Sequence, residues 1–423
     1  MSKFRRVLTS AGVMNALSSV MAVIVGLIAG FIILLISNPS QAVPGFITIF
    51  AGGASDMFNI GMVLYYATPI MLTGLSVGFS MKTGLFNIGA SGQFTFGMYA
   101  AILAGVQLTF LPGWLRCICA VLAGTLAGAI WGSIPGMLKA LRNVHEVIAC
   151  IMMNYIGMYI VNYLIGVTGV FDMFRNMTMR VPPEANLPTL GLGSVFSEGP
   201  RNSSVGVGII ISILVCVFIY IVLEKTRFGY ELKSCGFNRE AARYAGINEN
   251  RSVILSMTIA GALAGLGGAL VALSGTGKGI SVVDVLAGEG FQGIPIALLG
   301  LSNPIGIIFS GTLIAYFMQS GFLLQPHGFA PEVIEIIVAV IIYFAALALL
   351  LKGVIEYFVR EKKKTPVGAG ADTGEAGDKP PDAAPREDNK PPDAARYNDD
   401  KPPDEGDPAS KSDDGADTEG GDV

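Results

Sequence analysis

The stretch AGALAGLGGALVA, Ala260 to Ala272, has no polar side chain, and nearly every residue in it is Ala, Gly or Leu. So much glycine disfavours an isolated helix in water. In lipid, apolar surface gives helices no drive to associate, and small residues that let backbones approach become the packing device. AVLAGTLAGAIWGSIPG, Ala120 to Gly136, has the same character. The pair predicts an all-α fold: a polytopic membrane helical bundle held together through small residues.

Composition agrees. Hydrophobic residues make up 52% of the 423 and charged ones only 14%, against about a quarter in soluble domains. Charge divides the chain in two. Through Lys364 there are 22 basic and 15 acidic residues; from Thr365 onward there are 6 and 17. Residues 1–364 therefore read as the transmembrane domain and 365–423 as an acidic Pro/Asp/Gly-rich tail. Lys-Pro-Pro-Asp recurs there at 379–382, 390–393 and 401–404. A segment with so little apolar surface cannot offset its chain entropy and is expected to be disordered.

Ten stretches approach the roughly 20 apolar residues that a membrane-crossing helix needs: 14–36, 58–80, 86–106, 117–137, 146–166, 205–223, 253–274, 284–301, 304–324 and 332–351. Lys3, Arg5 and Arg6 precede the first, whose apolar run is too long for a cleaved leader, so it reads as a retained anchor. With the N-terminus inside, Lys82, Lys139, Arg142 and six cations from Lys225 to Arg251 fall in inside loops. That excess places both termini in the cytoplasm. The proline-rich 167–204 segment becomes a long outside loop.

Chemistry has little to work with. The five cysteines form no C-x-x-C pair, only His145 and His327 could ligate as imidazoles, and no phosphate-binding Walker loop occurs. No catalytic residue, metal site or cofactor is expected, and any ATP hydrolysis belongs to another chain. Polar groups inside spans mark the pathway candidates, since they are costly in lipid unless used. In GLFNIGASGQFTFGMYAA, Gly84 to Ala101, residues Asn87, Ser91 and Phe94 stand at i, i+4 and i+7, one stripe of a helix that Gly89 and Gly92 weaken. In IMMNYIGMYIVNY, Ile151 to Tyr163, Asn154 and Asn162 share a face flanked by Tyr155 and Tyr159. In GEGFQGIPIALLG, Gly288 to Gly300, Glu289 and Gln292 sit among glycines and Pro295. Each asparagine reads equally well as a bond between helices. The amides suit a neutral polyhydroxylated or heterocyclic cargo.

The largest inside loop, about 224–252, reads EKTRFGYELKSCGFNREAARYAGINENR from Glu224 to Arg251. Far longer than a simple connection, it suits short helices lying across the membrane surface. Its Glu240-Ala241-Ala242-x-x-x-Gly246 resembles the coupling motif of the integral-membrane permeases of bacterial ABC importers. The Ile-x-Leu-Pro ending of the maltose-type branch is missing, and TGLFNIGASGQFTFGMYAA, NVHEVIACIMMNYI and GFQGIPIALLG look most like the nucleoside (guanosine) permeases of the ribose, branched-chain amino acid and nucleoside branch.

That resemblance covers about Asn59 to Leu350. It implies a multi-pass permease of the bacterial plasma membrane, working by alternating access. Its expected partners are an ABC ATPase subunit, a second permease subunit, an extracellular lipid-anchored binding protein, a nucleoside and membrane lipid, but no nucleic acid. Gly236, Arg239, Glu240, Ala241, Ala242, Arg243 and Gly246 would engage the ATPase, the glycines giving sharp turns. The alternatives are the same architecture carrying a ribose-like sugar or a branched-chain amino acid, and an ion-coupled secondary carrier.

Overall fold

The computed structural model describes residues 11–346. The basic N-terminus, the end of the last predicted span and the whole acidic tail lie outside the described residues. The described chain is a helical bundle with two two-residue hairpins. In chain order the helices are α1 Ala11–Ser37, α2 Ala42–Ala51, α3 Met57–Lys82, α4 Ala90–Gln107, α5 Gly113–Arg142, α6 Glu146–Val167 and the four-residue α7 Leu192–Val195. Then follow α8 Gly208–Lys225, α9 Arg227–Phe237, α10 Arg239–Tyr244, α11 Glu249–Ala272, α12 Gly288–Leu299, α13 Pro304–Phe322 and α14 Pro331–Ala346. The 168–207 connection carries the antiparallel hairpins, β1 Phe171–Asp172 with β2 Met177–Thr178 and β3 Ser197–Glu198 with β4 Arg201–Asn202.

Among the described residues six helices, α3, α5, α6, α8, α11 and α13, are long and apolar enough to cross a membrane. The expected ten spans are thus not all confirmed as such. The clearest departure is 284–301, where α12 has only 12 residues, about 18 Å at 1.5 Å per residue against a hydrocarbon core of about 30 Å. Its glycines explain why it nevertheless sits inside. A Cβ on Gly290 would stand 2.2 Å from Ser91 Cα, and one on Gly293 2.6 Å from the Thr73 carbonyl carbon. α12 is thus wedged backbone to backbone between α3 and α4.

The two small-residue stretches face each other. Along α5, Gly124, Gly128 and Gly132 repeat every four residues on one stripe, and α11 presents Gly261 and Gly265 to them. A Cβ on Gly128 would meet Gly261 O at 2.4 Å, and one on Gly261 would meet Gly128 O at 2.3 Å. α4 closes the third side, where a Cβ on Gly97 would stand 2.3 Å from Gly265 Cα. Phe96 of α4 stacks on Trp131 of α5 at 3.9 Å between centroids, and the Trp131 indole donates to Met153 O of α6 at 3.2 Å.

Local chemistry sets the helix ends. The side chains of Asp56, Thr226, Asn238, Asn248 and Asn303 each accept a backbone N–H in the first turn of the helix that follows, satisfying one otherwise orphaned donor. α5 closes on Asn143 in the left-handed conformation, φ 51°, after Lys139 and Arg142, the cations that its terminal carbonyls favour.

Candidate functional site

The predicted asparagine stripe takes a different form from the expected one. α4 starts only at Ala90, because Gly84, at φ +73°, turns the chain out of α3. Asn87 therefore lies before the helix, and the i, i+4, i+7 relation does not apply to it. Fully buried, it is enclosed by bonds. Its amide donates to Ser76 Oγ at 3.1 Å and to Gln93 Oε1 at 2.8 Å, while its Oδ1 accepts from Gln93 Nε2 and from the Gly89 N–H, each at 3.1 Å. Ser76 Oγ in turn donates to Ala260 O of α11 at 2.6 Å. Phe94, 2% exposed, packs in the apolar core with Met98 and Ala269.

Asn154 is used in the same way. It accepts the Gly92 N–H at 2.8 Å and donates to Ile88 O at 3.0 Å, tying α6 to the segment that carries Asn87. Tyr155 and Tyr159 stand away from the buried Asn154 amide. They are 47% and 56% exposed on the outer side of α6, since neighbours on a helix point about 100° apart. Asn162 reaches Val283 O at 3.2 Å and Asp284 Oδ1 at 3.3 Å.

The bonds of Asn87 and Asn154 make them helix-to-helix connectors, and neither borders the cavities described next. Asn154→Leu leaves the Gly92 N–H and the Ile88 carbonyl unpaired. It is expected to lower stability by about 1–3 kcal/mol, read as an earlier thermal unfolding transition in detergent, rather than to remove only uptake.

Ser91 has a positioning role. Its hydroxyl donates to Ala287 O at 2.8 Å, and Thr73 Oγ1 donates to Glu289 O at 2.9 Å. Together they pin the start of α12 and so place Glu289 and Gln292. Those two line a cavity of about 370 Å³ between α3, α12 and α13, with Tyr65, Tyr66, Lys278 and Phe322 among its walls. A neighbouring cavity of about 660 Å³ reaches α14 at Glu335 and Tyr343, and the two share Gln292, Met318 and Phe322. Drug-sized ligands occupy pockets of roughly this size.

The chemistry of the smaller cavity is mixed. Lys278 Nζ and Glu289 Oε1 stand 2.5 Å apart, outside the six spanning helices. Burial alone would lower the Lys278 pKa, but the Glu289 carboxylate outweighs it and holds the ammonium above its usual value. Burial would raise Glu289, yet Lys278 holds it below the usual carboxylate range. The pair is charged on both sides and nearly neutral in sum. Tyr65 and Tyr66 meet edge to face at 5.2 Å, Tyr66 and Phe322 are 5.8 Å apart, and the Tyr65 hydroxyl reaches Thr276 Oγ1 at 3.2 Å. Gln292 Oε1 is buried without a hydrogen-bond partner among the described residues, an omission that costs about 1–3 kcal/mol when nothing fills it. Sequence reasoning found Glu289 and Gln292 but not Tyr65, Tyr66, Lys278 or Phe322. The one local signal was the Tyr65-Tyr66 pair just ahead of Pro69.

At the other end of the bundle, α9 and α10 form the predicted pair of short helices. Ala242 is buried while Glu240, Ala241 and Arg243 are exposed, so one face of the motif docks and the other is presented. Around it stand exposed rings that the sequence reading passed over: Tyr230, 68% exposed, Phe237, 90%, and Tyr244, 93%. Gly246, at φ +81°, makes the expected sharp turn. Gly236 does not: it lies within α9 and has a packing role instead. A Cβ there would stand 2.7 Å from the Thr83 carbonyl carbon, and the Gly84 Cβ would stand 2.6 Å from Gly236 Cα. The short helices thus bear directly on the elbow between α3 and α4. Thr83 of that elbow bonds through its hydroxyl to Ser256 of α11.

Residues 59–346 match the family model described as branched-chain amino acid transport system / permease component. The chain belongs to this family. Among similar proteins, the guanosine ABC transporter permease protein NupP of Bacillus subtilis is 36% identical, over 78% of this chain and 93% of its own length. The nucleoside ABC transporter permease protein NupB of Lactococcus lactis is 33% identical, over 80% of this chain and 92% of its own. The glucose ABC transporter permease protein TsgB13 of Haloferax volcanii is 32% identical, over 77% and 85%. No solved structure matches. A multi-pass membrane bundle with polar connectors inside it and a two-helix platform at one end is the form this permease takes.

Proposed function

We propose that this permease is the membrane-spanning subunit of an ATP-driven importer and forms the translocation pathway for nucleosides. The observation that carries the reading is the similarity, over 78% and 80% of this chain, to two permeases named for guanosine and nucleosides. A cavity with aromatic walls and a neutral sum of charge supports it. Both termini are cytoplasmic in this reading, supported by the cations Lys82, Lys139 and Arg142 at the end of the bundle that carries α9 and α10. The exposed face of Glu240, Arg243, Phe237 and Tyr244 receives a separate ATPase, with charged groups for charge-assisted bonds and rings of the kind that anchor interfaces. A second permease subunit and an external binding protein complete the complex. The same architecture carrying a sugar is the second reading, raised by the lower similarity to a glucose permease and not favoured over the first.

The test is co-purification from mild detergent, wild type beside the double variant Glu240→Lys, Gly246→Asp. The wild type is expected to retain an ATPase whose hydrolysis rises with binding protein and nucleoside; the variant is expected to lose it. A wild type that retains its fold but brings down no ATPase would overturn the importer reading. Stimulation by sugars alone would select the second reading.

A further inference from the structure

The smaller cavity holds features that close packing alone would eliminate. Its unpartnered Gln292 Oε1 is an acceptor with nothing to accept. Two prolines add to the same imbalance. Pro69 of α3 and Pro295 of α12 have no N–H, so the carbonyls four residues earlier, at Tyr65 and Phe291, lack their regular helical donor. Tyr65 and Pro69 both line the smaller cavity, and Phe291 and Pro295 both line the larger. Gln292 Oε1 is thus an acceptor without a donor in a lining whose own donors, the Tyr66 hydroxyl, the Gln292 amide and the Lys278 ammonium, do not reach it. The same lining holds the rings of Tyr65, Tyr66 and Phe322, which offer flat apolar surface to a planar group. The Lys278–Glu289 pair has already neutralised itself, which leaves no unpaired cation for a phosphate.

We infer that this cavity is a ligand station within the permease for the nucleobase of an uncharged nucleoside, with Gln292 and the freed backbone carbonyls accepting N–H donors from the base edge and Tyr66 carrying its flat face. The inference rests on the nucleoside reading above and deepens it: the permease holds its cargo by the base during passage. Base stacking on an aromatic side chain tolerates any base, so the ring contributes affinity. The edge contributes choice, because an acceptor left without its donor is penalised. Bases that present N–H groups are therefore held in preference to bases that present none. Gln292, Met318 and Phe322 belong to both cavities, which places the station at the junction between the two.

The experiment uses the complete transporter, with its ATPase and binding protein, in proteoliposomes. Uptake of guanosine is compared with uptake of the riboside of unsubstituted purine, whose base carries no N–H donor. The binding protein has a preference of its own, but it is common to every variant and cancels when the ratio of the two uptakes is compared. Gln292→Leu is expected to lower the guanosine-to-purine-riboside ratio by about tenfold or more, the effect of one lost hydrogen bond to a buried group. Gln292→Met provides the same reading should the leucine variant fail to assemble. Tyr66→Ala is expected to raise the half-saturating concentration of both nucleosides by about tenfold, and Tyr66→Phe, which keeps the ring, to restore it. A ratio unchanged by both Gln292 variants overturns the edge assignment. A half-saturating concentration unchanged by Tyr66→Ala overturns the stacking assignment. Wild-type transport of nucleosides alongside either result leaves the nucleoside reading standing, whereas a wild type that takes up neither nucleoside removes that reading and the station together.

Discussion

Gly261→Val is expected to cost more stability than any other single change considered for this protein. The alanine-sized part of the new side chain already falls 2.3 Å from Gly128 O and 2.9 Å from Gly132 Cα. Both obstacles are backbone, so no rotamer change relieves them, and the two γ-carbons of valine add to the crowding. Overpacking in a close-packed interior costs about 1–3 kcal/mol when side chains can give way. Here α5 must move bodily from α11, which also separates Gly124 from Gly265 of α11 and from Gly97 of α4. The loss is therefore expected to exceed about 3 kcal/mol. The measurement is thermal unfolding and recovery of monodisperse protein in detergent. Gly166→Val is the control, because a Cβ at Gly166 meets nothing within 4 Å, and it is expected to behave as wild type. Equal unfolding temperatures for the two variants would rule out the glycine seam as the core of the bundle.

Gly236→Val is expected to separate ATP hydrolysis from uptake. The exposed motif face, with Glu240, Arg243 and the Phe237 and Tyr244 rings, is untouched by this change, so the proposed binding of an ATPase there is expected to persist. What changes is the contact behind it, where α9 lies on the elbow at Thr83 and Gly84. That elbow joins α3 to the segment whose Asn87 is bonded to Ser76 and Gln93, and its Thr83 is bonded to α11. A push on α9 is therefore delivered to three helices. Overpacking by about 1–3 kcal/mol biases an equilibrium between inward and outward states by about five- to 150-fold. Uptake per ATP hydrolysed falls by the same order. Gly246→Ala is the comparison. It sits at φ +81° in open space, costs about 1 kcal/mol of local strain, and is expected to leave coupling near normal. Equal coupling ratios in the two variants would remove the elbow from the force path.

Much of this was legible in the chain. AGALAGLGGALVA and AVLAGTLAGAIWGSIPG announce close backbone approach because glycine and alanine at helical spacing have few other uses in lipid. Glu240-Ala241-Ala242 with Gly246 marked a two-helix platform. The cap at Asn238 and the turn at Gly246 are local, and local chemistry suffices to place them.

The candidate site was harder to read. Asn87 and Asn154 are costly residues wherever lipid surrounds them, and the sequence alone leaves open whether a cavity or a neighbouring helix meets that cost. Their partners decide it. Asn154 bonds to Gly92, 62 residues away, and Asn87 to Ser76 across the Gly84 turn. The same holds for the cavity. Tyr66, Lys278, Gln292 and Phe322 come from α3, the loop before α12, α12 itself and the end of α13, and no periodicity links them.

Sequence by itself therefore determined the class of the protein, the small-residue seams and the two-helix platform, since hydrophobic length, backbone clearance and capping act within a few residues. Only the tertiary structure decided which amides serve packing and which face a cavity, and why α12 stops short of a span. Those outcomes depend on whether a partner far away in the chain satisfies a polar group or touches a bare backbone, and proximity in space is what tertiary folding supplies.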